Sequence, residues 1–131
     1  MLDPSVEPIR TVLQRHPAIV QAVLFGSVAN GSARPDSDLD LAVSAGRPLD
    51  AEEKQILIGE LAEATGRPID LIDLETVGEP QLGQILSHGK RVLSNDDAYA
   101  DLLLRHLYAQ ADFVPYRDRI LRERREAWIG D

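Results

Sequence analysis

The sequence predicts an α/β fold of the α+β kind, a small mixed β-sheet covered by helices. Three observations predict it. Short β-branched or alternating apolar runs recur at residues 18–25, 38–43 and 68–74, each the length of a strand. Stretches with apolar residues at helical spacing lie between them. The chain of 131 residues is long enough for one core and too short for two. Helices and strands alternating in this way describe a sheet with helices on its faces.

Each element has its own signal. Asp3 followed by Pro4 predicts a helix start, with a capping side chain and proline at the first helical position. Val6, Ile9 and Leu13 share a face, and the helix should stop near His16, before Pro17. "AIVQAVLF", residues 18–25, is β-branched and ends at glycine, as a first strand does. After Gly26 a small-residue segment predicts one or two helical turns, then a loop from Gly31 to Ser37. "DLDLAV", residues 38–43, alternates cleanly and predicts the second strand. "AGRP" is a turn, and Asp50 with Glu53 forms a capping box. Ile56, Leu57, Glu60, Leu61 and Ala64 then mark an amphipathic helix ending near Gly66. "PIDLIDL", residues 68–74, predicts the third strand. A short helix from Pro80 to His88 ends at Gly89, a brief extended "RVL" follows, and residues 97–127 read as helical, bent or broken at Pro115. The domain reading is a core over 1–95 with a helical extension over 96–131 packed on it, a single domain overall. Tyr99, Leu102, Leu103 and Leu107, with Phe113 and Trp128, are expected in the core.

Composition narrows the function. No apolar run approaches a membrane span, and "MLDPSVEPIR" lacks the order of a secretion signal, so a cytoplasmic protein without membrane contact is expected. Cysteine is absent, which leaves carboxylates and histidines as metal ligands and favours oxygen-loving ions such as magnesium. A net charge of -8 repels phosphate backbones and argues against direct nucleic-acid binding. Residues 116–127 concentrate arginine, but interleaved acids at helical spacing predict a solvated helix face rather than a nucleic-acid patch.

The motif that carries chemistry is "LFGSVANGSARPDSDLDLAV", residues 24–43. In a strand, Asp38 and Asp40 share one face roughly 7 Å apart, while Leu39, Leu41 and Val43 point to the core. Two carboxylates so placed can share Mg²⁺, although the same pattern also suits an exposed strand face. Gly26 and Ser27 end one strand and open a helix, where free amides and a hydroxyl can cradle phosphate; taken alone, Gly-Ser is more often a tight turn. A phosphate cradle beside a carboxylate pair is what transfer from a nucleoside triphosphate requires. A third acid should complete the set. Asp70 and Asp73 are three apart and face opposite sides of a strand, so Asp70 is assigned to catalysis and Asp73 to a structural cap. His16 and His88 sit at helix ends and receive no catalytic role.

Gly26-Ser27, a ten-residue gap, Asp38-x-Asp40 and a later Asp70 resemble the signature of the DNA polymerase β-like nucleotidyltransferase superfamily. Ala29, Gly31, Arg34, Ser37 and Leu41 make the motif similar to its minimal nucleotidyltransferase branch, which includes antitoxins paired with HEPN ribonuclease toxins. The resemblance implies a polymerase β-like fold with a C-terminal helical tail. It implies that Gly26, Ser27 and Arg34 bind the nucleotide and that Asp38, Asp40 and Asp70 are catalytic and hold two Mg²⁺ ions, with ATP as substrate. The activity implied is transfer of AMP to a hydroxyl, a tyrosine, of a HEPN-type toxin partner, within a complex that silences the toxin. Two alternatives stay open. One is a binding module that neutralises its partner without catalysis. The other is a nucleotidyltransferase acting on a small molecule such as an aminoglycoside, for which the roughly 60 residues after Asp70 leave little room for an acceptor domain.

Overall fold

The structure, a computed structural model, describes residues 4–111. Its elements are α1 (Val6–Gln14), β1 (Gln21–Phe25), α2 (Gly26–Asn30), β2 (Leu39–Ser44), α3 (Ala51–Thr65), β3 (Ile69–Asp73), α4 (Gln81–His88) and β4 (Lys90–Leu93). A fifth helix, α5, occupies 96–111. One four-stranded sheet has the order β3-β2-β1-β4. β1 is antiparallel to both β2 and β4, while β2 and β3 run parallel. A parallel pair needs a crossover, which α3 supplies. The extended "RVL" is therefore a full edge strand, lengthened by Lys90.

Helices cover both faces of the sheet. On one face, Leu39, Leu41 and Val43 of β2 pack with Ile9, Val12 and Leu13 of α1 and Leu57 and Leu61 of α3. On the other, Val23 and Ala42 pack with Leu82 and Ile85 of α4 and Leu102 of α5. The alternation in β2 thus sends its leucines to the core as expected. The face shared by Asp40 and Ala42 is a second packed face, and only Asp38, at its end, is fully exposed.

Several boundaries and faces differ from expectation. Pro4 and Ser5 form a turn and α1 begins at Val6, while Asp3 lies outside the described residues. Asp38 precedes β2 by one residue. The capping box is present, with Asp50 accepting from Glu53 N at 2.7 Å, and Gly66 closes α3 in the left-handed region. Arg47 pairs with Glu53 and holds its carboxyl far below the usual range. Ile56, however, is 47% exposed and Ala64 is exposed; the inner face of α3 runs instead through Leu57, Ile58 and Leu61. In α5 only Leu102 is fully buried, and Leu103 and Leu107 face outward with Leu104 and Tyr108. A helix laid on the outside of a sheet buries one stripe, and Leu103 is about 100° away from it. Phe113, Pro115, Tyr116 and Trp128 lie outside the described residues. Among the described residues no helix is long and apolar enough to cross a membrane.

Asp73 illustrates what a buried carboxylate does here. It is 6% exposed, and its Oδ2 accepts from Leu49 N at 2.8 Å while Oδ1 accepts from Glu75 N at 2.9 Å. Replacing it with alanine strands a buried N–H, so Asp73→Ala should lose about 2–3 kcal/mol of stability in urea unfolding. A loss below about 0.5 kcal/mol would show that water satisfies these donors equally well.

Candidate active site

The site is a row across the sheet. Phe25 of β1 pairs with Asp40 of β2, and Asp40 pairs with Asp70 of β3. Residues paired across adjacent strands point to the same face, so Asp40 and Asp70 face each other as the strand parity predicted. Gly26 follows Phe25 along the chain and lies beside the Asp40 side chain. Its φ is +73°, and a Cβ built there would lie 2.1 Å from Asp40 Oδ2. Glycine is therefore required twice at this position, for the backbone conformation and for the space that the carboxylate fills.

Asp40 is half-buried. Burial, a side-chain hydrogen bond with Asp70, the Asp70 charge and then the Asp38 charge push its pKa up to about 6. Like charges at this separation share a proton unless a cation replaces it. An all-oxygen donor set with this mutual repulsion suits Mg²⁺, so the residues present fit the expected ion. Asp38 contributes its charge from the exposed loop end. Among the described residues no three acidic or histidine side chains are gathered into a ready-made metal cluster. Asp40 and Asp70 are the pair in contact, and Asp38 stands beside them.

The turn into α2 supplies the other half. Strand β1 ends at Phe25 in extended conformation and α2 starts at Gly26, so the amides of its first turn have no intrahelical partner. Ser27 is half-buried, and its carbonyl accepts from Ser32 N at 3.0 Å. Arg34 is exposed. Its main chain closes a turn with Ser37, Arg34 N donating to Ser37 Oγ at 2.8 Å and Ser37 N to Arg34 O at 3.0 Å. Ser37 thus shapes the turn into β2, while the Arg34 side chain makes no hydrogen bond or ion pair among the described residues.

Two of the three histidines are engaged elsewhere, and His88 is exposed at the end of α4. His16 pairs with Glu60 and holds that carboxyl below its usual range, and His106 pairs with Glu79 at 2.7 Å. One residue near the site escaped the sequence reading. Arg67 Nη1 donates to Arg34 O at 2.7 Å and to Ser37 O at 3.2 Å. Its only sequence signal is its place between Gly66 and Pro68, where a turn residue is expected to face solvent.

Over residues 7–98 the sequence matches the family described as polymerase beta, nucleotidyltransferase. The chain belongs to this nucleotidyltransferase family. It is 31% identical over 84 residues to the protein adenylyltransferase MntA of Shewanella oneidensis, a match covering 64% of this chain and 60% of that protein. The chain thus spans about three fifths of that relative's length. It is 36% identical over 59 residues to an aminoglycoside (3'') (9) adenylyltransferase of Klebsiella pneumoniae, covering 44% of this chain and 22% of that protein. A crystal structure of a toxin–antitoxin with AMP-PNP superposes with a TM-score of 0.70 at 25% identity, covering 88% of this chain and 98% of that chain.

Proposed function

We propose that this nucleotidyltransferase transfers AMP from ATP to a tyrosine hydroxyl of a HEPN-type toxin and so acts as its antitoxin. The observation that carries the reading is the grouping of Gly26, Asp40 and Asp70, in which a carboxylate occupies the space a side chain would take at the entrance to α2. Ser27 and the first amides of α2 hold the triphosphate, with Arg34 in the loop that follows α2. Asp38, Asp40 and Asp70 hold Mg²⁺, which neutralises charge on the phosphates and on the departing pyrophosphate. The tyrosine oxygen bonds to the α-phosphorus, the bond from that phosphorus to the bridging oxygen breaks, and pyrophosphate leaves with the electron pair. Asp70 accepts the hydroxyl proton. The likeness to an MntA adenylyltransferase and to a toxin–antitoxin holding AMP-PNP supports the acceptor class.

The match to aminoglycoside adenylyltransferases supports a second reading, transfer to a small-molecule hydroxyl. One experiment separates them. Incubated with ATP, Mg²⁺ and a HEPN-type toxin carrying an Arg-x4-His-x-Tyr motif, the protein should raise the toxin's intact mass by AMP less water. An unchanged toxin mass together with a modified aminoglycoside would establish the second reading. Toxin inhibition without any mass gain, retained in Asp38→Asn, would establish a binding module.

A further inference from the structure

Asp38 is the one carboxylate of the three that nothing holds directly. Its side chain is exposed and makes no hydrogen bond among the described residues, so its place is set by the main chain on either side. Both neighbours are tied to the same short segment. Ser37 O accepts from Arg67 Nη1 at 3.2 Å, and Leu39 N donates to Pro68 O at 2.8 Å. Arg67 also grips the far end of the turn, through Arg34 O at 2.7 Å. That turn is itself closed by two hydrogen bonds between Arg34 and Ser37, so the guanidinium holds a rigid unit at both ends. The segment bearing Arg67 runs directly into β3, which carries Asp70.

We propose that Arg67 is a positioning residue that sets Asp38 beside Asp40 and Asp70 and so completes the metal-binding set. The proposal rests on the reading of these three carboxylates as metal ligands. Arginine suits the task because both carbonyls accept from its Nη1, whose two N–H groups are fixed in the guanidinium plane, whereas the freely rotating ammonium of lysine reproduces that geometry only in part. Supporting residues of this kind typically tune metal affinity about 10–100-fold.

The probe is Mn²⁺ binding to the full chain, followed by electron paramagnetic resonance. Arg67→Ala should raise the Mn²⁺ Kd by about tenfold or more, and Arg67→Lys should recover part of the loss. Because Arg67 acts through Asp38, Arg67→Ala should add nothing further in an Asp38→Ala background. If Arg67→Ala does not fold, Arg67→Lys in the two backgrounds gives the same comparison. A Kd within about twofold of wild type in the folded variant, or an equal further loss without Asp38, would leave Arg67 a purely structural tie and overturn the proposal. Wild-type protein that takes no Mn²⁺ overturns the metal reading and the proposal with it. Intact Mn²⁺ binding without AMP transfer counts against the proposed function alone.

Discussion

Asp40→Asn is expected to abolish nucleotide transfer and, in the metal-free protein at neutral pH, to raise the melting temperature. On the proposed function, activity should fall because losing a carboxylate of the metal site forfeits charge stabilisation that a bound metal ion would supply, on the order of 10²–10³-fold in rate. Stability should rise because folding lifts the Asp40 pKa from 3.8 to about 6. Below about pH 4 the carboxyl is protonated in both folded and unfolded chains and contributes nothing. Across the window up to about pH 6 only the folded chain keeps the proton, so stability declines as pH rises, and above it the full penalty of the charged form remains. Asparagine removes that penalty. Calorimetry should therefore find the variant's advantage at neutral pH shrinking to nothing near pH 4. Mg²⁺ should raise the melting temperature of the wild type and leave the variant's unchanged. A variant that melts below the wild type at neutral pH would mean that the carboxylate makes a stabilising contact outweighing its repulsion.

Gly26→Ala should also end transfer, with the opposite sign on stability. Its φ of +73° strains any side-chain-bearing residue, and the new Cβ would stand 2.1 Å from Asp40 Oδ2. Left-handed strain costs about 1–3 kcal/mol. Displacing the carboxylate adds to this, and a drop of about 5–10 °C in melting temperature is expected. The two contributions separate in an Asp40→Ala background. There the nearest remaining atom of residue 40 is its Cβ at 3.3 Å, so adding Gly26→Ala should cost little beyond the backbone strain. Equal costs in both backgrounds would show that the close approach has no energetic weight.

Local signals were legible where one residue type has one physical use. Asp50 and Glu53 marked the start of α3, Gly66 and Gly89 marked helix ends, and the parity of Asp70 and Asp73 separated the carboxylate that meets Asp40 from the one turned inward. Less was legible where the outcome depends on what packs against an element. Ile56 and Leu103 have the composition of core residues but sit about 100° off the buried stripes of their helices, a rotation that only the neighbouring elements decide. "KRVL" is too short to announce a strand and became one through its pairing with β1. Arg67 was silent because two backbone carbonyls, distant in the chain, leave no trace in side-chain spacing.

The mixed pairing of the sheet also orders its assembly in time. β1 and β2 form an antiparallel pair through a connection that holds Gly26, Ser27 and Asp38, and Phe25 meets Asp40 across it. Asp40 and Asp70 lie twice as far apart along the chain, on strands that run parallel. Closing a longer loop before any contact rewards it slows the step. The β1–β2 ribbon should therefore form early, and the docking of β3 should follow and complete the carboxylate row. β3 brings the charge that Asp40 repels, so electrostatic repulsion falls on that docking step, and where docking belongs to the folding transition state acid or a divalent cation should accelerate refolding as well as deepen the native minimum.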